Sequence, residues 1–438
     1  MPNQRVFCNS PWYELHIYWD GTLAFCCHAT PRVPYDLSLK QIYNIKNMSI
    51  KEWYNSSAMK EARLNVLGDQ QWNHCDRCWH EESVAFTSRR HRSNQKSVIF
   101  RQNFDESFQQ SPGYEKFKHS LDNQGDYNGM PIDLHIDLGN YCNLACKMCN
   151  PYASSRIATQ HRQWGIMDTS TQDWTMDQAV WDRFKLEIVS VPTLKNIHFM
   201  GGETLIQPRF KELIDYLVEQ GRTDVCISFV TNGTSYDPTL IEKFKLFPRV
   251  GIEVSIEAMD RVNDYVRQGT DTTVVIDHIN QYLKDCNGSS ITLTLRPAPG
   301  LLTVKSYWQV IEYALTNGLL IKSNLCTDPE FLHMNILPND VKQQYKKSYQ
   351  DLYERWQLDQ LEFSVDSNES DPNNFRAVAK NQIIQVINML DSTAPENSET
   401  LHQQLVQHLN RWDPVYKLDA RELYPELGPL LDKHGYCV

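Results

Sequence analysis

The run CNLACKMC sets Cys142, Cys146 and Cys149 at C-x3-C-x2-C spacing. Three thiolates placed in this way can hold three irons of a four-iron cluster and leave the fourth iron without a protein ligand. An open coordination position is what such a set supplies. A closed structural zinc site wants a fourth Cys or His close by, and His135 and His198 are the donors on neighbouring apolar runs.

A second set of thiols lies nearer the N-terminus. Cys8 and Cys26 are separated by seventeen residues, Gly21 stands five residues before Cys26, and Cys75 and Cys78 form the C-x2-C of HCDRCW. Four thiolates in two pairs can close a tetrahedral zinc site or ligate every iron of a [4Fe-4S] cluster, and spacing alone leaves both open. Cys27, adjacent to Cys26, is an alternative ligand, and the Gly-x4-Cys spacing favours Cys26. The remaining cysteines of the twelve, Cys226, Cys286, Cys326 and Cys437, are scattered, each by default a small core or surface residue. In a reducing compartment such thiols stay free, and clustered ones point to metal or catalysis.

The three-cysteine run needs a scaffold, and the surrounding sequence describes one. Short β-rich apolar runs recur at residues 132–138, 196–200, 224–230, 250–256, 290–296 and 319–325, separated by amphipathic stretches at 207–221, 237–247 and 273–288. Asp237 reads as a helix N-cap and Gly221 and Gly288 as helix stops. Six strands alternating with helices predict an α/β fold, a partial (β/α)6 barrel of the TIM kind with right-handed crossovers. Loops leaving the C-terminal ends of such strands converge on one mouth. The motifs fall there: the cysteine run after the first strand, Gly201, Gly202 and Glu203 after the second, Thr231, Asn232 and Gly233 after the third. Three segments are expected: an aromatic, cysteine-rich module at 1–125, the barrel at 126–330, and a polar helical C-terminal cap at 331–438.

Composition narrows the function. The 438 residues carry a formal net charge of −11, which disfavours sequence-independent nucleic-acid binding. Residues 86–101 are a local basic exception, read as a solvated linker. No run of about 18 apolar residues and no basic-then-apolar N-terminus appears, which predicts a cytoplasmic protein without a membrane segment.

CNLACKMC, in this position, resembles the signature of radical S-adenosylmethionine (SAM) enzymes, and the resemblance extends over residues 131 to about 330. It implies a [4Fe-4S] cluster on Cys142, Cys146 and Cys149, with SAM on the open iron. Gly201, Gly202 and Glu203 resemble the family's GGE loop facing the SAM ammonium. Asn232 and Ser255 match positions near the ribose or methionine moiety, Arg267 an arginine that pairs with the SAM carboxylate, and Met148 a position whose backbone meets adenine. C-x17-C, SLKQIYN, EWYNSSAMKEARLNVLG and C-x2-C resemble the auxiliary-cluster module called SPASM or, in its one-cluster form, twitch. This implies one auxiliary [4Fe-4S] cluster on Cys8, Cys26, Cys75 and Cys78, here preceding the core that such modules usually follow.

The resemblance implies an enzyme that cleaves SAM reductively to a 5'-deoxyadenosyl radical and takes hydrogen from a substrate, with a flavodoxin- or ferredoxin-type reductant. A peptide or protein side chain is the first expectation for that substrate, and a small molecule such as an aminosugar or nucleotide the second. A non-catalytic iron–sulfur electron-transfer or metal-binding protein is the alternative from another class, and SAM binding separates the two. Cys326, after the sixth strand, is the catalytic expectation, a thiol able to deliver a hydrogen atom, against the default of an inert thiol. Arg296, Asn324 and His333 are further substrate-facing expectations, and Glu257 and Asp260 are possible bases or solvated carboxylates.

Overall fold

Alternating apolar and polar residues make half-buried strands, because successive side chains point to opposite faces. In the computed structural model all six expected runs form strands, and four short strands join them. In chain order they are β1 (Glu14–Ile17), β2 (Leu23–Ala24), β3 (Asp133–Asp137), β4 (Ala145–Cys146), β5 (Asn196–Met200), β6 (Cys226–Thr231), β7 (Val250–Val254), β8 (Arg267–Gln268), β9 (Ile291–Leu295) and β10 (Leu320–Ile321). The structure describes residues 6–29, 43–68, 71–72, 74–84, 88–96, 114–166, 173–360 and 374–438. Most of the SLKQIYN run and of the Asp/Asn/Ser-rich 364–374 run lie outside them.

The chain divides into two units: Met1–Tyr141 with Asp168–Phe229 and Glu242–Val250, and Cys142–Met167 with Val230–Ile241 and Gly251–Val438. In the first unit β3, β5 and β6 pair in parallel in that order. One face of this sheet is apolar: Leu134, Ile136, Ile197, Phe199, Ile227 and Phe229 are all buried. Phe199, Phe210, Phe229 and Phe244 run edge to edge beneath it with centroids 5.0 to 5.4 Å apart. The opposite face carries His135, Asp137 and His198, in register across β3 and β5.

The cysteine-rich segment adds to this sheet. β1 lies parallel to β3, with His16 opposite His135, and β2 returns antiparallel to β1. The basic run is not a solvated linker where it is described. Arg89–Lys96 is a helix in which Arg89 pairs with the buried Glu14 at 2.6 Å and Arg90 with Glu82 at 2.7 Å. Charge density misread it, because both carboxylates lie far away in sequence or on another element.

In the second unit β9 and β10 are parallel, and the amide of Arg296 bonds Val254 O, aligning β9 with β7. The expected caps appear: Asp237 Oδ1 accepts from the amide of Thr239, and Gly288 adopts a positive φ of 72°. The expected C-terminal helices are Asn339–Arg355 and Phe375–Asp391, followed by Ser398–Tyr416. Tyr349 Oη donates to Val304 O at 2.6 Å, fixing the first against the helix Val304–Asn317. Among the described residues no helix is long and apolar enough to cross a membrane.

Arg63 holds the N-terminal segment together through backbone carbonyls. It is fully buried and donates to Pro11 O at 3.1 Å, Gly125 O at 3.1 Å and Tyr54 O at 2.7 Å, with its guanidinium over the Tyr54 and Tyr127 rings. Burial lowers its pKa to about 10. Leaving several buried carbonyls unmet costs about 1–3 kcal/mol for each, so Arg63→Met should lower unfolding free energy by about 3–5 kcal/mol in denaturant titration. A loss under about 1 kcal/mol means these carbonyls find other donors.

Candidate functional site

In the second unit the cysteine run is held on both sides by backbone. β4 pairs antiparallel with β8, placing Cys146 opposite Arg267, and the amide of Lys147 bonds Val266 O at 2.8 Å. Ser155 Oγ accepts from the amide of Cys142 at 3.1 Å, while Ser154 Oγ donates to Leu144 O at 2.7 Å and caps the helix Ser155–Gln163. Sequence supplies these caps directly, since Ser-Ser ahead of an amphipathic run is a helix start.

The three sulfurs converge electrostatically. Burial pushes the Cys149 thiol up to about 11, and a charge on Cys142 pushes it further while Arg267 opposes. Arg267 feels burial against its charge, but Cys146, Glu257 and Cys142 together hold it protonated above the ordinary guanidinium range. Its Nη1 pairs with buried Glu257 at 2.9 Å, and its Nε is buried without a hydrogen-bond partner. Thiols that sense one another and a common arginine fit a polynuclear iron–sulfur cluster, and the unmet guanidinium donor fits an anionic group beside it. Glu257 is neither a solvated carboxylate nor a free base: it is the buried counter-ion of Arg267, and its second oxygen accepts from the amide of Ala298.

The TNG loop joins this assembly through a residue that sequence reading passed over. Asn232 Nδ2 donates to Asn143 Oδ1 at 2.8 Å, and Asn143 Nδ2 donates to Thr234 Oγ1 at 2.9 Å, so a two-residue clasp ties the loop to the cysteine run. The amide of Ser255 bonds Thr231 O at 2.8 Å, keeping the half-buried Ser255 beside that loop. Met148 and Cys326 line one narrow cavity with Ala298, Gly300 and Leu332. Burial pushes the Cys326 thiol up to about 12, with Glu257 and Asp328 adding to the rise, so it is a neutral thiol.

Gly201, Gly202 and Glu203 lie in the first unit. Both glycines have positive φ, and a Cβ on Gly202 would sit 2.2 Å from Tyr141 O. Only glycine lets this turn approach the loop after β3 that closely. The amide of Glu203 bonds Tyr141 O at 2.8 Å, and Glu203 Oε1 accepts from the amide of Leu205, so part of that carboxylate caps the turn Thr204–Ile206.

Cys8, Cys26, Cys75 and Cys78 are also in the first unit, and all four are buried. Burial, then charges on Cys8 and Cys78, raise the Cys75 pKa. The amide of His28 meets Cys26 Sγ at 3.3 Å, and the His28 ring meets Cys78 Sγ at 3.9 Å, which relates Cys26 to the C-x2-C pair. Cys27 lies within hydrogen-bond reach of both Cys26 and His135, and its pKa is lowered, chiefly by the hydrogen bond from Cys26. None of the twelve cysteines is in a disulfide. Four buried thiols in this arrangement fit a fully ligated cluster.

One feature beside the cysteine run has no local sequence signal. Lys147, between Cys146 and Met148, is completely buried and pairs with the equally buried Asp413 at 2.5 Å. Asp413 also accepts from Tyr265 Oη at 2.8 Å and Tyr436 Oη at 2.6 Å, and Lys147 Nζ sits over the Tyr265 ring at 4.4 Å. Trp412 packs on Ala145 and Ile157, with Cys149 against the same cluster.

The comparisons accord with this geometry. Residues 136–297 match the family model described as the Radical SAM superfamily, and residues 8–79 match SPASM, an iron-sulfur cluster-binding domain. Over 154 residues the chain is 29% identical to the mycofactocin maturase MftC of Mycobacterium ulcerans (strain Agy99), covering 35% of each. Over 138 residues it is 25% identical to the sporulation killing factor maturation protein SkfB of Bacillus subtilis (strain 168), covering 32% of this chain and 29% of that one. The match therefore spans about a third of the length of these curated relatives. Among solved structures, Streptococcus suis SuiB bound to precursor peptide SuiA is similar at 13% identity and a TM-score of 0.37, over 72% of this chain and 66% of that one.

Two outcomes follow from the Lys147 environment. Removing one partner of a buried pair typically costs about 3–5 kcal/mol, so Asp413→Ala should lose that stability together with iron bound at the cysteine run, read by denaturation and iron content. The His408 pKa is lowered to about 3, by burial first and the Lys147 charge second, so the folded chain binds fewer protons than the unfolded one below the ordinary value of 6.5. Stability should accordingly fall as pH drops from about 6.5 toward 3, by about 4–5 kcal/mol, and His408→Gln should flatten that slope in melts across the window.

Proposed function

We propose, taking as premise that this chain belongs to the radical SAM superfamily and carries a SPASM-type iron–sulfur domain ahead of its core, that it is an enzyme that activates SAM and abstracts hydrogen from a peptide or protein side chain. The observation that carries the proposal is the three-cysteine run with Cys146 paired across β4 and β8 to the buried Arg267, whose Nε has no hydrogen-bond partner.

Cys142, Cys146 and Cys149 would hold the SAM-binding [4Fe-4S] cluster, and Cys8, Cys26, Cys75 and Cys78 the auxiliary one. When bound, cluster and SAM supply a 5'-deoxyadenosyl radical able to break an unactivated carbon–hydrogen bond. Arg267 offers a fixed positive charge to the SAM carboxylate, and Glu257 limits that charge while anchoring the guanidinium from behind. Asn232, oriented by Asn143 and Thr234, keeps the TNG loop against the cysteine run where the nucleoside end of SAM is expected. Gly202 lets backbone approach without a Cβ, and Met148 borders the cavity that Cys326 also lines. Cys326, protonated and enclosed, keeps its hydrogen away from bulk water and available to a carbon radical there. Support for a macromolecular substrate comes from the relatives, named as a maturase and a maturation protein. A flavodoxin- or ferredoxin-type protein is the reductant this chemistry calls for.

Anaerobic, cluster-loaded protein mixed with SAM and dithionite should release 5'-deoxyadenosine, and Cys146→Ala should release none. A reconstituted sample that binds SAM but never yields 5'-deoxyadenosine overturns the enzyme reading. Losing a charge-assisted hydrogen bond of about 1.5–3 kcal/mol predicts SAM binding weaker by about 10- to 100-fold in Arg267→Gln. Mass analysis after turnover should show a peptide changed by whole hydrogens or a new crosslink. Consumption of an aminosugar or nucleotide with peptides untouched would move the substrate to a small molecule.

A further inference from the structure

Across the polar face of the first unit's sheet, a second group of donors lies outside both cysteine sets used above. His16 on β1 and His135 on β3 are register partners on parallel strands, so their rings stack face to face, centroids 4.2 Å apart with planes 14° from parallel. The chain after β2 brings Cys27 to them. One ligand atom from each of His16, Cys27 and His135 lies within 4.8 Å of the other two.

The hydrogen bonding is what makes this group unusual. His16 is 5% exposed, and neither of its ring nitrogens has a hydrogen-bond partner; His135 Nε2 is likewise enclosed and unmet. A histidine kept in a sheet interior for packing normally satisfies at least one ring nitrogen, as His198 does on the next strand, 2.7 Å from Ser228 Oγ. Asp137, two residues along β3 on the same face, brings its Oδ1 to 3.4 Å from His16 Nε2. Asp137 is not among the residues whose ligand atoms all lie within 4.8 Å of one another, so its carboxylate supports and orients His16 rather than completing the set.

We propose that His16, Cys27 and His135, with the Asp137 carboxylate supporting His16, form a mononuclear three-donor site for a divalent transition ion of the zinc class, separate from both iron–sulfur sites. Two imidazoles and a thiolate suit zinc with its fourth position left to solvent, and the nitrogen and sulfur donors disfavour magnesium or calcium. All three donors come from β1, β3 and the segment after β2. An ion there clamps Cys27 to the sheet, which leaves Cys26 as the neighbour free to face Cys78 through His28. The site thereby decides which of two adjacent cysteines joins the auxiliary set. The inference does not rest on SAM chemistry.

The test uses the full chain, purified without oxygen, loaded with iron and sulfide, equilibrated with Zn2+ and desalted. Elemental analysis should find zinc in addition to iron, and zinc X-ray absorption should show nitrogen donors with a single sulfur. Cys27→Ser and His135→Gln should lose the zinc and keep the iron, whereas Cys75→Ala should lose iron and keep the zinc. Asp137→Asn should weaken zinc binding by at least about 10-fold. His198→Gln, on the same face but outside the set, should keep both metals, and its melt alongside that of His135→Gln separates zinc loss from misfolding. Failure of the wild type to retain zinc, an all-sulfur zinc shell, or loss of iron rather than zinc in Cys27→Ser overturns the proposal. Zinc retained in Cys142→Ala/Cys146→Ala/Cys149→Ala, which has no SAM-binding cluster, shows that this site stands whatever becomes of the enzyme reading.

Discussion

A lysine with no exposed surface, set between two cysteines, is the constraint on which the second unit's site depends. Taking Lys147 and Asp413 out of water carries a desolvation penalty of several kcal/mol per ion, repaid only when geometry is good and the remaining polar atoms are satisfied. Here Asp413 accepts from Lys147, Tyr265 and Tyr436, and Lys147 Nζ faces the Tyr265 ring. Any shift of the cysteine run would separate a charge from its counter-ion in a dry place, which holds the run in this position. Rigidity of this kind is what a cluster loop needs, because the spacing of three sulfurs sets whether a cuboidal centre can seat. The helix Ser398–Tyr416 is thus part of the site's foundation rather than a cover over it.

Which parts of this were legible in the sequence depends on range. The cysteine run, the GGE turn and the Asp237 cap are short-range patterns, and backbone sterics or local hydrogen bonding make them readable residue by residue. Lys147 and Asp413 stand 266 residues apart, and neither carries a local signature: a lysine beside cysteines reads as solvated, an aspartate near a helix end as ordinary. The same reason hid the role of Glu257, whose partner Arg267 was seen only as a ligand for SAM, and of Arg89, whose carboxylate is 75 residues away. Strand β1 was missed differently. ELHI is four residues long with every position buried, so it shows no alternation, and its neighbour β3 is more than a hundred residues on.

That missed strand changes what the cysteine-rich segment is. Pairing of β1 with β3 makes the N-terminal segment part of the sheet that carries Asp137 and His135, not an appendage tied on by a linker. Arg63 and Arg89 then have a clear physical purpose. Each replaces hydration of buried polar groups, three carbonyls in one case and Glu14 in the other, where apolar contact alone would leave them unmet.

Both cysteine sets share an electrostatic design. Burial raises Cys8, Cys75 and Cys149, so in the metal-free chain these thiols hold their protons and avoid the penalty of buried anions. Ligation requires thiolates, so loading either set must release protons, and the positive charge of the metal has to replace what the proton supplied. The protein places a fixed cation beside each set in advance: Arg267 acts on Cys142, Cys146 and Cys149, and Arg90 acts on Cys8 and Cys75. Guanidinium serves here where ammonium would not, because it stays charged in the interior and can bond a carboxylate or carbonyl on one edge while facing sulfur with another. Arg90 does so through Glu82 and Phe7 O, and Arg267 through Glu257. An arginine held on one side by a carboxylate has its position fixed by that pairing, so each thiol set has a compensating charge already in place beside it.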